Sequence, residues 1–294
     1  MKRLDASEVI FRAFAYTLLT IFALFCLYPF VYAISAAISG RVAYYSGDVV
    51  LFPVDVQFDA FREIVLTKRF WISYANTLHV TFYGTIWALG TSVLGAYALS
   101  KKRLVFRRGF NFFLVFTLWF NAGLVPQFLN YRATQNIFES FFNITDDKWL
   151  VVFAMGMAAF NVILLRNAFE AVPYEIEEAA VVDGATEFQL LTRVYIPMSK
   201  AAIATVGLFF GISRWNGYFW ARTMIRNRNE WPLQVYIRDT LEAIMQREIP
   251  VDTTYAQNSL IYAMIVCAII PIIIIYPYIQ KYFAKGVNVG GVKE

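Results

Sequence analysis

The sequence predicts an all-α polytopic membrane protein with six transmembrane helices. Three observations carry this. Hydrophobic residues make up 59% of the chain and charged ones only 16%, where an average soluble domain is about half apolar and a quarter charged. Aromatic residues reach 18% and the mean hydropathy is +0.52. Most telling, the apolar residues fall in blocks roughly as long as a bilayer crossing, almost free of charge. Such blocks exclude a soluble globule, a disordered chain and a disulfide-stapled secreted domain. They also argue against an outer-membrane barrel, whose strands alternate over about ten residues.

Taken in order, the candidate spans are 13–39, 70–100, 109–131, 149–165, 201–221 and 253–280. Each reaches across about 30 Å of hydrocarbon at 1.5 Å per residue, the fourth only just. The first is longer than the roughly 7–15 apolar residues of a signal peptide, so it is read as a retained helix. Only the fifth holds a charge, Arg214. Pro29, Pro126, Pro271 and Pro277 lie within or at the ends of spans, where they are expected to kink helices. Gly207 and Gly211 form a GxxxG pair in span five, expected to let another helix of the same chain approach closely. Cys26 and Cys267 sit alone in apolar blocks and are read as small hydrophobic side chains.

Orientation follows from basic residues in short loops. Lys101, Lys102, Arg103, Arg107 and Arg108 crowd the connection between spans two and three, which places it in the cytoplasm. Alternation then puts both termini and the 166–200 segment inside and the 222–252 loop outside. That outer loop carries Arg222, Arg226, Arg228, Arg238 and Arg247, against the rule, but long loops constrain topology less. The net charge of +5, from 26 basic and 21 acidic residues, serves topology and lipid headgroups rather than nucleic acid.

The cytoplasmic stretch 172–200 has a different chemistry. Pro173 followed by Glu175, Glu177 and Glu178 predicts a helix start, because carboxylates favour the positive end. Gly184 is expected to stop that helix. Thr186 with Gln189 resembles a capping box that opens a second helix, which Pro197 is expected to end. Small Ala179, Ala180 and Ala185 surround the joint, where they would let a partner surface come close. On these grounds alone a solvated hairpin fits equally well.

A family resemblance separates the two readings. Glu178-Ala179-Ala180, three residues, Gly184-Ala185 and then Ile196-Pro197 resemble the EAA signature of binding-protein-dependent ABC importer permeases. That pattern runs on to Ile-x-Leu-Pro, and this chain lacks the intervening residue. Trp215-Asn216-Gly217-Tyr218-Phe219 and Trp231-Pro232-Leu233-Gln234 are similar to carbohydrate-type permeases related to the second maltose-importer subunit. The tail from Gln280 to Lys293 resembles a branch that imports oligosaccharides and polysaccharide fragments, including the smaller alginate-importer permease.

The resemblance implies a type I importer fold, with a single permease domain over 1–294 in a bacterial inner membrane. It implies a coupling site at Glu178, Ala179, Ala180, Asp183, Gly184 and Ala185. It also implies a second homologous permease, two ATPase subunits that bind ATP and Mg, and an extracytoplasmic solute-binding protein. The chain itself has no Gly-x-x-x-x-Gly-Lys-Ser/Thr loop, so no phosphate cradle, and no cofactor or metal is expected on it. It is read as a non-catalytic subunit.

Polar groups at membrane depth are candidates for the substrate path, because burying them is costly unless they meet a cavity or partner. These are Asn121 and Gln127 beside Pro126, and Arg214, Trp215, Asn216 and Tyr218. Arg and Asn suit sugar hydroxyls or uronate carboxylates, and aromatic rings can stack on sugars. Interhelical hydrogen bonding is the competing use. His79, the only histidine, is expected to be a core residue bonded to a neighbouring helix, and Asp146 and Asp147 a solvated loop. The alternative class, an ion-gradient-driven secondary transporter, tends to show internal repeats and buried carboxylates. Neither is evident here.

Overall fold

A computed structural model describes residues 6–120, 122–246 and 254–286. It divides into two compact units, Met1–Phe70 with Ile237–Ile272, and Trp71–Tyr236 with Ile273–Glu294. Among the described residues there is no strand, only an isolated bridge between Gly40 and Tyr255.

The helices are α1 (Ala6–Ala37), α2 (Arg41–Ser46), α3 (Asp59–Leu66), α4 (Lys68–Ser100), α5 (Arg107–Trp119), α6 (Leu124–Phe142), α7 (Asp147–Ala154) and α8 (Ala159–Glu170). There follow α9 (Tyr174–Val182), α10 (Glu187–Leu190), a π turn Leu191–Tyr195, α11 (Ile196–Met198), α12 (Lys200–Trp215), α13 (Phe219–Met224), α14 (Leu233–Met245) and α15 (Gln257–Gly286). Ser7–Ala37 and Gln257–Pro277 are long and apolar enough to cross a membrane, and Glu187–Met198 with Lys200–Trp215 would add a third if this 86° bend counts as one span. Spans one and six are thus single helices. Helix α4 has 33 residues but carries Asn76, Thr77, His79 and Ser92 among its apolar positions.

Two expected spans are broken. Span three divides into α5 and α6, because Phe120 is extended and Gly123 takes a φ of 83°. Pro126 therefore kinks nothing. It lies in the first turn of α6, where its missing N–H would have had no helical partner anyway. Span four divides into α7 and α8, with Ala158 in extended backbone. Span five stops at Trp215, six residues short of the expected end.

In the first unit, Ala36, Ala43 and Val49 form a small core. Tyr32, Tyr44 and Tyr262 pack on it, Tyr32 meeting Tyr262 edge-on at 5.6 Å. Most of α1 presents apolar side chains outward, as a helix facing lipid or another subunit does. The second unit has two cores. One joins Val80, Val151, Met224, Trp231 and Val235. The other joins Ala96, Leu165, Leu190, Tyr195 and Val206, from α4, α8, α10, the π turn and α12.

Glycines set how closely α4 and α12 approach. A Cβ on Gly207 would lie 3.4 Å from Leu89, and one on Gly211 would lie 3.8 Å from Thr85 Oγ1. One on Gly84 would lie 3.1 Å from Arg214 Nε. The GxxxG pair thus serves packing within the chain, as expected.

Candidate functional site

The 172–200 segment folds as a hairpin of two short helices. Helix α9 starts after Pro173 with Glu175 and Glu177 in its first turn. It ends in a Schellman motif: Gly184, at φ 78°, donates its amide to Val181 O at 3.0 Å, and Ala185 donates to Ala180 O at 2.9 Å. The positive φ is what requires glycine there. Thr186 then caps α10. Its hydroxyl accepts from Gln189 N–H at 3.3 Å, and Gln189 Oε1 accepts from Thr186 N–H at 2.8 Å.

The second limb ends one residue beyond Pro197. Before it the helix widens into the π turn, where Ile196 N–H reaches back five residues to Leu191 O, and the helix then runs on to Met198. An α-turn would drive the proline ring into the carbonyl four residues back, and the wider turn relieves that clash. At Ser199 the chain bends 86° into α12.

Helix α9 has no buried residue. Glu178, Ala179, Asp183 and Gly184 are exposed, whereas Ala180 and Ala185 pack inward on the core that contains Leu190 and Tyr195. Ala180 thus also contacts its own chain. The hairpin also displays Val182 at 86% exposure and Phe188 at 70%. These apolar side chains were not singled out from sequence. A cleft of about 1040 Å³ beside α9 is lined by Lys102, Arg107, Pro173, Glu178 and Val182 among others.

The hairpin is anchored to the 101–107 segment by Lys101, Arg103 and Glu177, read from sequence only as topology or helix-start signals, and by Tyr97, Tyr195 and Glu187, which were not singled out. Lys101 Nζ, buried, lies 2.7 Å from Oε1 of the partly buried Glu177. It also sits 4.4 Å from the Tyr97 ring centre and 4.0 Å from that of Tyr195. Tyr195 OH donates to Glu177 Oε2 at 2.5 Å. Tyr97 OH donates to Glu187 Oε2 at 2.8 Å, and Arg103 pairs with Glu187. Arg107 pairs with Glu170. Burial alone would raise the Glu177 carboxyl, but the hydrogen bonds from Lys101 and Tyr195 and the charges of Lys101 and Arg103 hold it below its ordinary value. Burial, then the bond to Glu177, raises the Tyr195 hydroxyl. The readable signal was an aromatic residue one turn before a lysine that closes an apolar block. These bonds also put the 101–108 connection and the 166–200 segment on one side, as alternation requires.

The substrate-path candidates divide. Asn121 lies outside the described residues, and Gln127 is half-buried in α6. Arg214 is only 6% exposed and donates to Val151 O at 3.3 Å. Its Nε and the Nε1 of buried Trp215 have no hydrogen-bond partner among the described residues. Trp215 meets Tyr74 edge-on at 6.0 Å. Asn216 follows the last helical residue, is exposed, and donates back to Ile212 O at 3.0 Å. Tyr218 is half-buried beside the Trp231 core. Arg214 and Trp215 are thus packed groups and Asn216 an accessible one.

Two other readings change. His79 makes no hydrogen bond through Nε2 and instead packs against the rings of Trp149, at 4.5 Å, and Tyr83, at 4.6 Å. Asp147 is not a solvated loop residue, since it accepts from Arg226 N–H at 2.8 Å and from Gln135 Nε2 at 3.2 Å. Arg222 and Arg228 stack on Trp231 at 4.6 and 5.2 Å.

This fold, with its glycine-jointed EAA hairpin, is that of an importer permease. The chain belongs to the family described as binding-protein-dependent transport system inner membrane component, whose pattern matches residues 6–289. It is a multi-pass membrane permease subunit, not an enzyme. It is 42% identical to a chain in the crystal structure of a bacterial ABC transporter involved in the import of the acidic polysaccharide alginate, with a TM-score of 0.84 over 96% of this chain and 100% of that one. It is also 32% identical to the polygalacturonan/rhamnogalacturonan transport system permease protein YtcP of Bacillus subtilis, over 97% of this chain and 98% of the relative. The diacetylchitobiose uptake system permease protein DasC of Streptomyces coelicolor is 28% identical, over 84% and 85%.

Proposed function

We propose that this chain is one of two homologous permease subunits of an ATP-driven importer of oligosaccharides, acidic ones such as alginate or pectin fragments in particular. The observation that carries the proposal is the likeness, over nearly its whole length, to a chain of a transporter involved in importing alginate. The polygalacturonan permease supports the same acidic class. A solute-binding protein delivers the sugar outside, and two ATPase subunits, holding ATP and Mg, dock on α9 inside. Both termini are cytoplasmic, and residues 1–294 act as one permease domain.

Glu178 and Asp183 offer carboxylates to basic groups of the ATPase, and Val182 and Phe188 offer apolar contact. Gly184 holds the joint. Closure of the ATPases on nucleotide moves the hairpin, and the helices exchange inward-open for outward-open states. Arg214, Trp215, Asn216, Tyr218, Gln127 and Asn121 are assigned to the substrate path, with Arg214 suited to a uronate carboxylate.

The test is ATPase activity of the reconstituted complex with its binding protein. Uronate oligosaccharide should stimulate hydrolysis and drive uptake, while a neutral maltooligosaccharide should not. Uptake driven by a proton or sodium gradient without ATP would overturn the proposal.

A further inference from the structure

We propose that Lys101 is a positioning residue that locks the coupling hairpin to the cytoplasmic end of α4, so that hairpin and helix move as one body. This rests on the permease reading above.

Helix α9 buries none of its own residues, so its hold on the membrane helices comes from a few specific contacts. Lys101 follows the last residue of α4 and is only 7% exposed. An ammonium at that depth needs a partner. It has three: the Glu177 carboxylate at 2.7 Å and the faces of Tyr97 and Tyr195. Tyr97 comes from α4 and Tyr195 from the π turn, so the ammonium is gripped by both limbs and by the membrane helix at once. Tyr195 secures the other carboxylate oxygen of Glu177. Glu187 takes Tyr97 and Arg103 in the same way on the second limb.

The arrangement has the properties of a mechanical link. A buried, charge-assisted pair is short, directional and poorly tolerant of partial separation. An exposed pair such as Arg103–Glu187 yields easily. The path from ATPase to membrane therefore runs from α9 through Glu177 and Lys101 into α4. From there it reaches α12 across the glycine-lined contacts of Leu89 with Gly207 and Thr85 with Gly211.

The experiment uses the whole complex in nanodiscs, with Cys26 and Cys267 replaced and spin labels placed at Glu175 and Leu94, both exposed. In the wild type the label distance should be narrow and the same without nucleotide and with ATP trapped. Lys101→Met should broaden it or split it between the two states, and sugar imported per ATP should fall severalfold. Lys101→Arg should restore both. A Lys101→Met distance as narrow as the wild type in both states would overturn the proposal. Should that variant fail to assemble, Tyr195→Phe, which removes only the hydroxyl on Glu177, decides in the same way. A wrong sugar silences uptake but not the distance readout, so the two readings fail separately.

Discussion

The amide of Ala185 donates to the carbonyl of Ala180 at 2.9 Å, and this bond closes the turn that folds the coupling hairpin back on itself. The intervening Gly184 takes a φ of 78°, and a Cβ built on it meets nothing within 4 Å in this chain. The demand on this position is therefore conformational rather than steric within the subunit.

Gly184→Val should cost about 1–2 kcal/mol locally through the left-handed backbone alone. Gly184→Asn should be milder, because asparagine visits that region more readily. Binding-protein-stimulated ATPase activity, with assembly checked in parallel, should rank glycine above asparagine above valine. Equal activity for all three would remove the turn from the coupling account.

The Glu177 carboxyl is held below its ordinary value, so its contribution is complete above the unfolded value of about 4.3 and fades as pH falls through the lower folded one. Hydrogen exchange of α9 amides, corrected for intrinsic rates, should be flat from pH 8 to 5. Opening of α9 between pH 6 and 5 would assign its hold to some other group.

The seam between α4 and α12 makes a prediction with its own control. Gly207→Leu must push on Leu89, already at contact distance from a single Cβ, and should destabilise by about 1–3 kcal/mol. Gly90→Ala meets nothing within 4 Å, so it should be neutral or stabilise by up to about 1 kcal/mol. Thermal unfolding of the detergent-purified subunit should separate the two.

Arg214 and Asn216 should behave differently despite their proximity in sequence. Asn216 is exposed, so Asn216→Ala should reduce uptake and leave assembly intact. Arg214 is packed beneath Gly84, so Arg214→Ala leaves space and an orphaned Val151 carbonyl. Arg214→Met keeps much of the volume and is the cleaner variant. It should lower uptake of acidic oligosaccharides in assembled complexes. Unchanged uptake in Arg214→Met would confine Arg214 to packing.

The local chemistry of the hairpin was legible in the sequence because each signal acts over a few residues. Pro173, Gly184 and the Thr186–Gln189 pair do in the structure what their types suggest. Pro197 lies one residue from the helix end, as its type suggests, but nothing in the sequence marks the π turn that accommodates its ring. The breaks after Phe120 and before Ala159 lie inside charge-free blocks long enough to be read as single spans. Lys101 read as a topology signal because its partner Glu177 lies 76 residues away. Asp147 read as solvated for the same reason, its donors Gln135 and Arg226 lying on other elements.

The central claim is that the exposed face of α9 is where the ATPase acts, and a photo-cross-linker at Ala179 in intact membranes tests it most directly. Ala179 is exposed and flanked by Glu178 on the proposed contact face. The account predicts an adduct with the ATPase subunit from Ala179, stronger with ATP trapped, and none from a cross-linker at Phe52 in the loop after α2. Labelling of an Ala179→Cys variant by an impermeant thiol reagent from outside the cell, or an ATPase-bound complex with no adduct at Ala179, would contradict it.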